Sequence, residues 1–207
     1  MADLSKTYLF RMTHIQNIPH ILQCGITHIS SPLSNGNYVP IGDASLISTR
    51  SSHVLDNGKQ LGDYIPFYFG VLTPMLYVIQ KGYNQVKTTA AKDIVYCVTS
   101  VQKLIDTNLE YVFTDGHAIE TISSQYDHTN IKDIDTLLDF KAIKDWKFKD
   151  PNDLDKKRRK QAEFLVDGDI PLEVILGYVV YNENAKNQLV AMGIEEKKIK
   201  ILPTYYF

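Results

Sequence analysis

The chain has few cysteines, and their arrangement excludes two classes of protein. Only two cysteines occur in 207 residues, Cys24 and Cys97, and neither belongs to a Cys-x-x-Cys or histidine-containing pattern. A disulfide framework needs more cysteines, and a zinc site needs Cys or His ligands at closer spacing. We therefore expect two buried thiols and no bound metal.

Long apolar runs are also absent from the sequence. The longest uncharged stretch, residues 64–80, is interrupted by Pro66, Gly70 and Pro74, whereas a membrane-spanning helix needs about 20 consecutive apolar residues. The first residues do not contain an apolar core of signal-peptide length. The sequence therefore predicts a cytoplasmic protein without a membrane partner.

The net charge of the chain is small, but positive charge is concentrated in one segment. The net charge of −2 argues against a protein that coats nucleic acid indiscriminately through phosphate contacts. Residues 141–160, however, hold nine Lys or Arg and four Asp. This segment is either a local basic patch or a solvated, flexible charged loop.

What the chain does contain is enough apolar sequence for one substantial core. With 44% hydrophobic residues, we expect a single domain over residues 1–207. Residues 30–63 have little periodicity and predict a long irregular segment, which is often functional in compact domains. No internal repeat is present, and the mixture of elements predicts an α+β fold. The expected strands are 7–12, 64–69, 75–79, 93–98, 111–117, 161–166, 174–181 and 199–207, and the expected helices are 17–22 (ended by Gly25), 101–105, 131–146 and 183–192.

One carboxylate interrupts an otherwise apolar strand. In Gln161-Ala162-Glu163-Phe164-Leu165-Val166, a period of two places Ala162, Phe164 and Val166 on one face and Gln161, Glu163 and Leu165 on the other. Glu163 is then either a water-exposed residue on an outer face or a site residue. A carboxylate in a site can hold a ribose hydroxyl, stabilise an oxocarbenium-like state and accept a proton without a metal.

Four motifs occur in an order that is similar to a known family. The chain resembles the DarT family of DNA-modifying ADP-ribosyltransferase toxins, and the similarity extends over nearly the whole sequence. The motifs are Phe10-Arg11-Met12-Thr13-His14-Ile15, Tyr64-Ile65-Pro66-Phe67-Tyr68-Phe69 with Thr73-Pro74-Met75-Leu76, Val112-Phe113-Thr114-Asp115-Gly116-His117, and Arg159-Lys160-Gln161-Ala162-Glu163.

The resemblance implies a diphtheria-toxin-like ADP-ribosyltransferase fold, with two small sheets flanking a cleft that binds NAD as substrate. It implies that Glu163 and Arg50 are catalytic, since Arg50 lies in the long loop that the family orders over NAD. The implied NAD-binding residues are Arg11, Thr13, His14, Arg50, Tyr68 and Met75. Surface salt bridges are the alternative for the two arginines, and core packing is the expected role of the neighbouring Phe69.

The resemblance also implies an acceptor and a partner. The acceptor is a base of single-stranded DNA, thymidine or alternatively guanosine, contacted by His117, Lys156, Arg158 and Arg159. His117 could instead cap its turn. Residues 70–74 depart from the family pattern, which leaves the choice of base open. A toxin of this kind implies a macrodomain antitoxin of the DarG type. The other interpretations are ADP-ribosylation of RNA or protein, and a single-strand-binding module without chemistry.

Overall fold

The computed structural model describes residues 2–207, in which strands and short helices alternate. The strands are β1 (Tyr8–His14), β2 (Tyr64–Tyr68), β3 (Ile94–Ser100), β4 (Tyr111–Thr114), β5 (Gln125–Tyr126), β6 (Glu163–Asp167), β7 (Gly177–Val180) and β8 (Ile199–Ile201). The α-helices are α1 (Ile18–Cys24), α2 (Ala44–Ser52), α3 (Pro74–Lys81), α4 (Val101–Ile105), α5 (Ile134–Leu137), α6 (Phe140–Lys144), α7 (Lys156–Arg159) and α8 (Glu183–Ala191). The α+β class predicted from the sequence is confirmed.

All eight strands belong to one sheet, in the order β5-β4-β6-β2-β1-β3-β7-β8. The expectation of two separate sheets was wrong, but the two halves are joined weakly. β1 and β2 share a single register pair, Phe10 with Tyr68, whereas β1 and β3 pair over seven positions. Because strands twist, a junction of one pair lets the four-stranded halves diverge on either side of it.

β6 lies next to this junction, and its two faces are packed differently. Phe164 and Val166 belong to the main hydrophobic cluster together with Ala162, which precedes the strand. Leu165 packs in a smaller cluster that includes Tyr64. The predicted alternation is therefore confirmed, and Glu163 lies on the face of the smaller cluster.

The apolar residues 75–79 form a helix, and the strand predicted there was wrong. The Thr73 side chain accepts a hydrogen bond from the backbone N–H of Leu76, and proline occupies the first helical position, a favourable helix start. Leu76 and Ile79 are buried on the same side of α3. Gly82 ends the helix in the left-handed conformation, where glycine is unstrained.

The segment 30–63, predicted as irregular, contains α2. The side chain of Asp43 caps this helix by accepting from the backbone N–H of Ser45. The buried Asn17 side chain holds the preceding loop, because it donates to the carbonyl of Val39 at 2.9 Å and accepts from its N–H at 2.8 Å. This segment is therefore attached to the end of β1 rather than free.

Three smaller expectations also need correction. The helix predicted over 131–146 is divided into α5 and α6, because Asp139 starts a new helix by capping the N–H of Ala142. The last strand is only three residues long. Cys97 is buried, which raises the pKa of its thiol to about 12, but Cys24 is partly exposed. Within residues 2–207, none of the helices has both the length and the apolar character to cross a membrane.

Candidate active site

The Glu163 carboxylate is completely buried and is held by two N–H donors. Its side chain has 0% exposure. Oε2 accepts a hydrogen bond from Nη1 of Arg50 at 2.8 Å, and Oε1 accepts one from the backbone N–H of Ala118 at 3.1 Å. The interpretation of Glu163 as an ordinary exposed strand residue is therefore wrong. Burying a carboxylate is unfavourable unless it is paired in this way.

Arg50 reaches Glu163 from the last turn of α2. The helix packs closely against the turn before β2, since a Cβ on Gly62 would lie 2.8 Å from the Cα of Ser51. The Arg50 side chain is 15% exposed and covers the carboxylate. Its second terminal nitrogen, Nη2, is buried and has no hydrogen-bond partner within residues 2–207. Arg50 therefore presents an unused pair of donors beside Glu163.

The loop that follows β4 supplies the second donor to the carboxylate. Thr114 is buried; its hydroxyl accepts from the backbone N–H of Glu163 at 3.3 Å and donates to the carbonyl of Gly116 at 2.6 Å. His117 is buried next to Ala118, and this burial lowers the pKa of its imidazole. The motif Val112–His117 therefore contributes its backbone to the site as well as its side chains.

Tyr68 is the direct cross-strand neighbour of Glu163. The two residues are paired between β2 and β6, and Tyr68 is also paired with Phe10 of β1. Burial of the hydroxyl and, after it, the Glu163 charge raise the pKa of Tyr68. Tyr68 is therefore a neutral hydroxyl donor at the junction between the two halves of the sheet.

The residues of β1 divide between the two faces of the sheet. Since cross-strand partners share a face, Phe10 lies on the side of Tyr68 and Glu163, and alternation places His14 there too. His14 accepts from the N–H of Gln16 through Nδ1, and burial lowers the pKa of its imidazole. Met75 is partly buried in the cluster that also packs Phe10. Phe10 and His14 therefore share the sheet face that carries Glu163, and Met75 packs against the same cluster as Phe10.

Arg11 and Thr13 start from the opposite face of β1. Arg11 donates through Nη1 to the carbonyl of Pro66 at 2.9 Å, so it ties β1 to β2 at the one-pair junction. Thr13 is buried and accepts from Asn17 at 3.0 Å. Asn17 in turn holds Val39. These two residues therefore bind neighbouring segments, and within residues 2–207 no hydrogen bond or ion pair joins them to Glu163.

The three basic residues predicted to bind DNA are all paired with aspartates. Lys156 binds Asp145 at 2.7 Å. Arg159 pairs with Asp153. Arg158 pairs with Asp115 and Asp155, each at 2.7 Å. Unpaired positive charge lies elsewhere in the segment. Among residues 141–160, the exposed lysines for which the described structure shows no ion pair are Lys141, Lys144, Lys147, Lys149 and Lys157.

Two residues of this segment have surroundings that the sequence did not indicate. Trp146 is 65% exposed, and the ammonium group of Lys147 lies 4.9 Å from its ring centroid. A tryptophan inside a run of lysines was the available signal. Lys160 is 1% exposed, and its ammonium group donates to the carbonyls of Ile143, Asp145 and Val71. It therefore ties the divergent 70–74 loop to the end of α6.

Comparison with known proteins relates this geometry to one family. Residues 10–207 match the family model described as DarT, ssDNA thymidine ADP-ribosyltransferase. A DNA ADP-ribosyl transferase of Escherichia coli O127:H6 is 32% identical over 187 residues, which are 89% of this chain and 84% of the relative. A DNA ADP-ribosyl transferase-DNA ADP-ribosyl glycohydrolase fusion protein of Thermosipho africanus is 28% identical over 96% of this chain, which spans 49% of the fusion.

Solved structures show the same fold. The DarT of Thermus sp. 2.9 in complex with ADP-ribosylated ssDNA superposes with a TM-score of 0.83 at 26% identity, covering 97% of this chain and 96% of that one. Its complex with NAD+ gives a TM-score of 0.79 at 26% identity, covering 97% and 98%. The ADP-ribosyltransferase fold expected from the sequence is confirmed.

Proposed function

Because the chain belongs to the DarT family of DNA ADP-ribosyltransferases, we propose that it transfers ADP-ribose from NAD to thymidine in single-stranded DNA. Thymidine as the base is supported by the description of the matching family. The observation that carries the proposal is the Glu163 carboxylate, which is buried and held by two N–H donors. Guanosine remains the alternative base, because residues 70–74 depart from the family pattern.

We assign the chemistry of transfer to Glu163. The bond from ribose C1′ to the nicotinamide nitrogen breaks, and nicotinamide leaves with the bonding electron pair. A bond forms between the acceptor base and C1′, and the acceptor releases a proton. Glu163 holds a ribose hydroxyl, stabilises the positive charge that develops on the ribose, and accepts that proton.

Arg50 is the proposed second member of the catalytic pair. Since it covers Glu163, its guanidinium has to shift for the carboxylate to touch substrate. The Nη2 donors have no partner within residues 2–207 and are free to bind NAD. A guanidinium fork matches the oxygens of a diphosphate. Arg50 thus neutralises Glu163 before substrate binds and contacts NAD afterwards.

The remaining NAD-binding residues have two kinds of role in this proposal. Tyr68, His14 and Met75 share the face of Glu163 and form the surface on which NAD lies. Tyr68 offers a neutral hydroxyl and a ring for stacking. Arg11 and Thr13 act by joining β1 to Pro66 and, through Asn17, to the segment that carries α2.

Single-stranded DNA fits the exposed surface of residues 141–157. Its lysines without acidic partners can neutralise phosphates, and Trp146 offers a face for base stacking. His117 is adjacent to Ala118, and the charges of both Glu163 and Lys157 act on its imidazole. Lys156, Arg158 and Arg159 already bind aspartates, so we assign them to holding the segment in shape.

We also propose a toxin role for the chain. Transfer to DNA bases blocks templates, and one relative is a fusion of transferase and DNA ADP-ribosyl glycohydrolase. The partner that suits this chemistry is a macrodomain hydrolase of the DarG type, which removes the modification. Expression of the chain alone is expected to arrest growth, and co-expression of such a hydrolase is expected to restore it. Arrest that persists in Glu163→Ala would contradict the toxin role.

The target base is tested with NAD and a set of defined oligonucleotides. Mass spectrometry should show one ADP-ribosyl addition on single strands that contain thymidine and none on strands in which every thymidine is replaced. The same strands paired with their complement, the RNA equivalents and a protein extract are the other acceptors. Modification of a thymidine-free, guanosine-containing strand would replace thymidine with guanosine, and labelled RNA or protein with unmodified DNA would overturn the DNA target.

The catalytic residue is tested with the same oligonucleotides. Glu163→Gln keeps the shape of the side chain but cannot accept the proton or stabilise positive charge. We expect at least about a 1000-fold loss of transfer, as for loss of other principal charged catalytic groups, together with retained NAD-dependent thermal stabilisation. Activity near that of the wild type would show that another group carries the chemistry.

A further inference from the structure

Arg158 uses most of its hydrogen-bonding capacity inside the protein. It donates to both carboxylate oxygens of Asp155, at 2.7 and 2.8 Å, to Asp115 at 2.7 Å and to the hydroxyl of Ser123 at 3.1 Å. These bonds occupy four of the five N–H donors of a guanidinium. The side chain is only 13% exposed. A DNA phosphate would have to displace carboxylates that Arg158 already holds.

The bonds of Arg158 all fall on the loop that follows β4 or on its own short helix. Asp115 and Ser123 stand on either side of Ala118, which donates its N–H to Glu163. Gly116 lies directly under the side chain, since a Cβ there would lie 2.8 Å from Cγ of Arg158 and closer still to Nη1. The carbonyl of Arg158 also accepts from the backbone N–H of His117 at 3.0 Å. Arg158 therefore binds the loop at Asp115, His117 and Ser123, which lie on both sides of the Ala118 donor.

We infer that Arg158 is a positioning residue, which fixes the loop 115–124 so that the Ala118 N–H meets Oε1 of Glu163. The Asp155 carboxylate orients the guanidinium, the guanidinium orients Asp115 and Ser123, and the loop between them presents Ala118. The inference rests on the proposed catalytic role of Glu163. It assigns Arg158 a task that neither charge nor sequence position indicates, because both favour a phosphate contact.

This role has a clear kinetic consequence. A loop that drifts by a fraction of an ångström weakens a bond to the reacting carboxylate, and the loss appears in the chemical step. A phosphate contact instead contributes to DNA affinity, and its loss raises KM and reduces the slope of log affinity against log salt by about one. Loss of a positioning residue therefore lowers kcat, whereas loss of a phosphate contact raises KM for DNA and reduces the salt slope.

The test compares Arg158→Lys, Asp115→Asn and the double variant, with thymidine-containing single strands and NAD. Each single variant is expected to lose at least about tenfold in kcat, less than the roughly 100-fold or more that loss of a directly bonded donor costs. KM for DNA, KM for NAD and the salt slope should stay at wild-type values. The double variant should be no slower than the worse single variant, because both changes break one interaction.

A milder variant and two controls keep the result interpretable if the charged variants unfold. Ser123→Ala removes an anchor that both accepts from Arg158 and donates to the carbonyl of His117, and it should lower kcat several-fold in a protein that unfolds cooperatively. Lys186→Ala breaks a remote ion pair with Glu196 of 2.5 Å and should leave kinetics unchanged. Lys157→Ala, an exposed cation, should raise KM for DNA.

Three outcomes would overturn the inference. The first is a raised KM for DNA and a smaller salt slope in Arg158→Lys at unchanged kcat, which identifies a phosphate contact. The second is a set of additive effects in the double variant. The third is wild-type kcat in Ser123→Ala when the charged variants do not fold. Failure of the proposed function is distinct, because it appears in proteins with Arg158 intact, as unmodified thymidine strands with the wild type or as near wild-type activity in Glu163→Gln.

Discussion

Arg50 and Glu163 are 113 residues apart in the chain, yet the guanidinium of one lies 2.8 Å from the carboxylate of the other. The ion pair joins α2 to β6 and leaves the carboxylate without contact with solvent. Together with the bonds of Asn17 to Val39, this ion pair fixes a segment that has little periodicity, and Asp43 caps the helix within it. In the proposed reaction Arg50 has to move before the carboxylate can touch substrate, so the order of the segment and the chemistry are linked.

Arg50→Lys and Arg50→Ala are expected to separate the charge of Arg50 from its geometry. Lysine keeps a positive charge near Glu163 but loses the fork of donors, so transfer should fall at least about 100-fold with a small change in stability. Alanine leaves a buried carboxylate unpaired, which should lower the free energy of unfolding by about 3 kcal/mol. Chemical denaturation and initial-rate assays measure the two effects. Wild-type rates in Arg50→Lys would show that charge alone suffices.

His117 is expected to make stability depend on pH below neutrality. Burial lowers the pKa of its imidazole in the folded chain, so the unfolded chain binds more protons as the pH falls below about 6.5. The contribution of neutral, buried His117 is therefore complete above that value and is lost as the pH falls through the window beneath it. Melting temperatures at pH 7 and pH 5 for the wild type and His117→Gln should show a smaller difference in the variant. Equal differences would contradict this role.

Lys160→Met is expected to destabilise the protein although it removes a buried charge. The ammonium group donates hydrogen bonds to the carbonyls of Ile143, Asp145 and Val71. A buried acceptor left without a hydrogen bond costs about 1–3 kcal/mol. We expect a loss of about 2 kcal/mol or more in urea denaturation. Lys157→Met, at an exposed lysine of the same segment, is the matched control and should change stability by less than about 0.5 kcal/mol. A stable Lys160→Met protein would show that these carbonyls find other partners.

The same lysine predicts a pH dependence at the alkaline end. Burial lowers the pKa of Lys160 to about 8, below its ordinary value of about 10.4 in the unfolded chain. Between these values the unfolded chain binds more protons, so this group makes stability rise with pH. The stability of the wild type relative to Lys160→Met should therefore increase from pH 7 to pH 10. A constant difference across that range would exclude a shifted pKa.

Trp146 is expected to contribute to DNA binding and not to the chemical step. Its ring is exposed beside Lys147, and stacking of a base on an aromatic ring is worth about 1–3 kcal/mol. Trp146→Ala should raise KM for DNA at least about fivefold at unchanged kcat and unchanged KM for NAD, and Trp146→Phe should retain most of the affinity. Competition by an unreactive single strand provides an independent measurement. An unchanged KM in Trp146→Ala would place the strand elsewhere.

Much of the architecture follows from local patterns in the sequence. The alternation around Glu163 predicted which neighbours enter the core, because a strand has a period of two. Proline in the first turn and Gly25 after the last predicted α1. The same rules failed for residues 75–79, where an apolar and aromatic composition suggested a strand, although Thr73 and Pro74 mark a helix start.

The pairing of charges followed a local rule only in part, because Arg158 and Asp155 are three residues apart but Arg158 and Asp115 are 43 apart. Lys156, Arg158 and Arg159 lie in a basic run and suggested a phosphate surface, but the structure pairs each of them with an aspartate. Asp115, which pairs with Arg158, lies outside residues 141–160. The neighbours of a charge are decided by which strands pack together, and β4 comes beside β6 only in the folded sheet.

The sequence by itself determined the family and the order of the main elements and marked Glu163 as the candidate carboxylate, because these depend on residue types and short spacings. The tertiary structure alone decided that Glu163 is buried and that Arg50 and the Ala118 N–H bind it. It also decided that Arg158 binds the loop that contains Ala118. Those relationships join residues 43 to 113 positions apart. They exist only when the sheet brings these residues within hydrogen-bond distance, where low solvent exposure makes each contact matter.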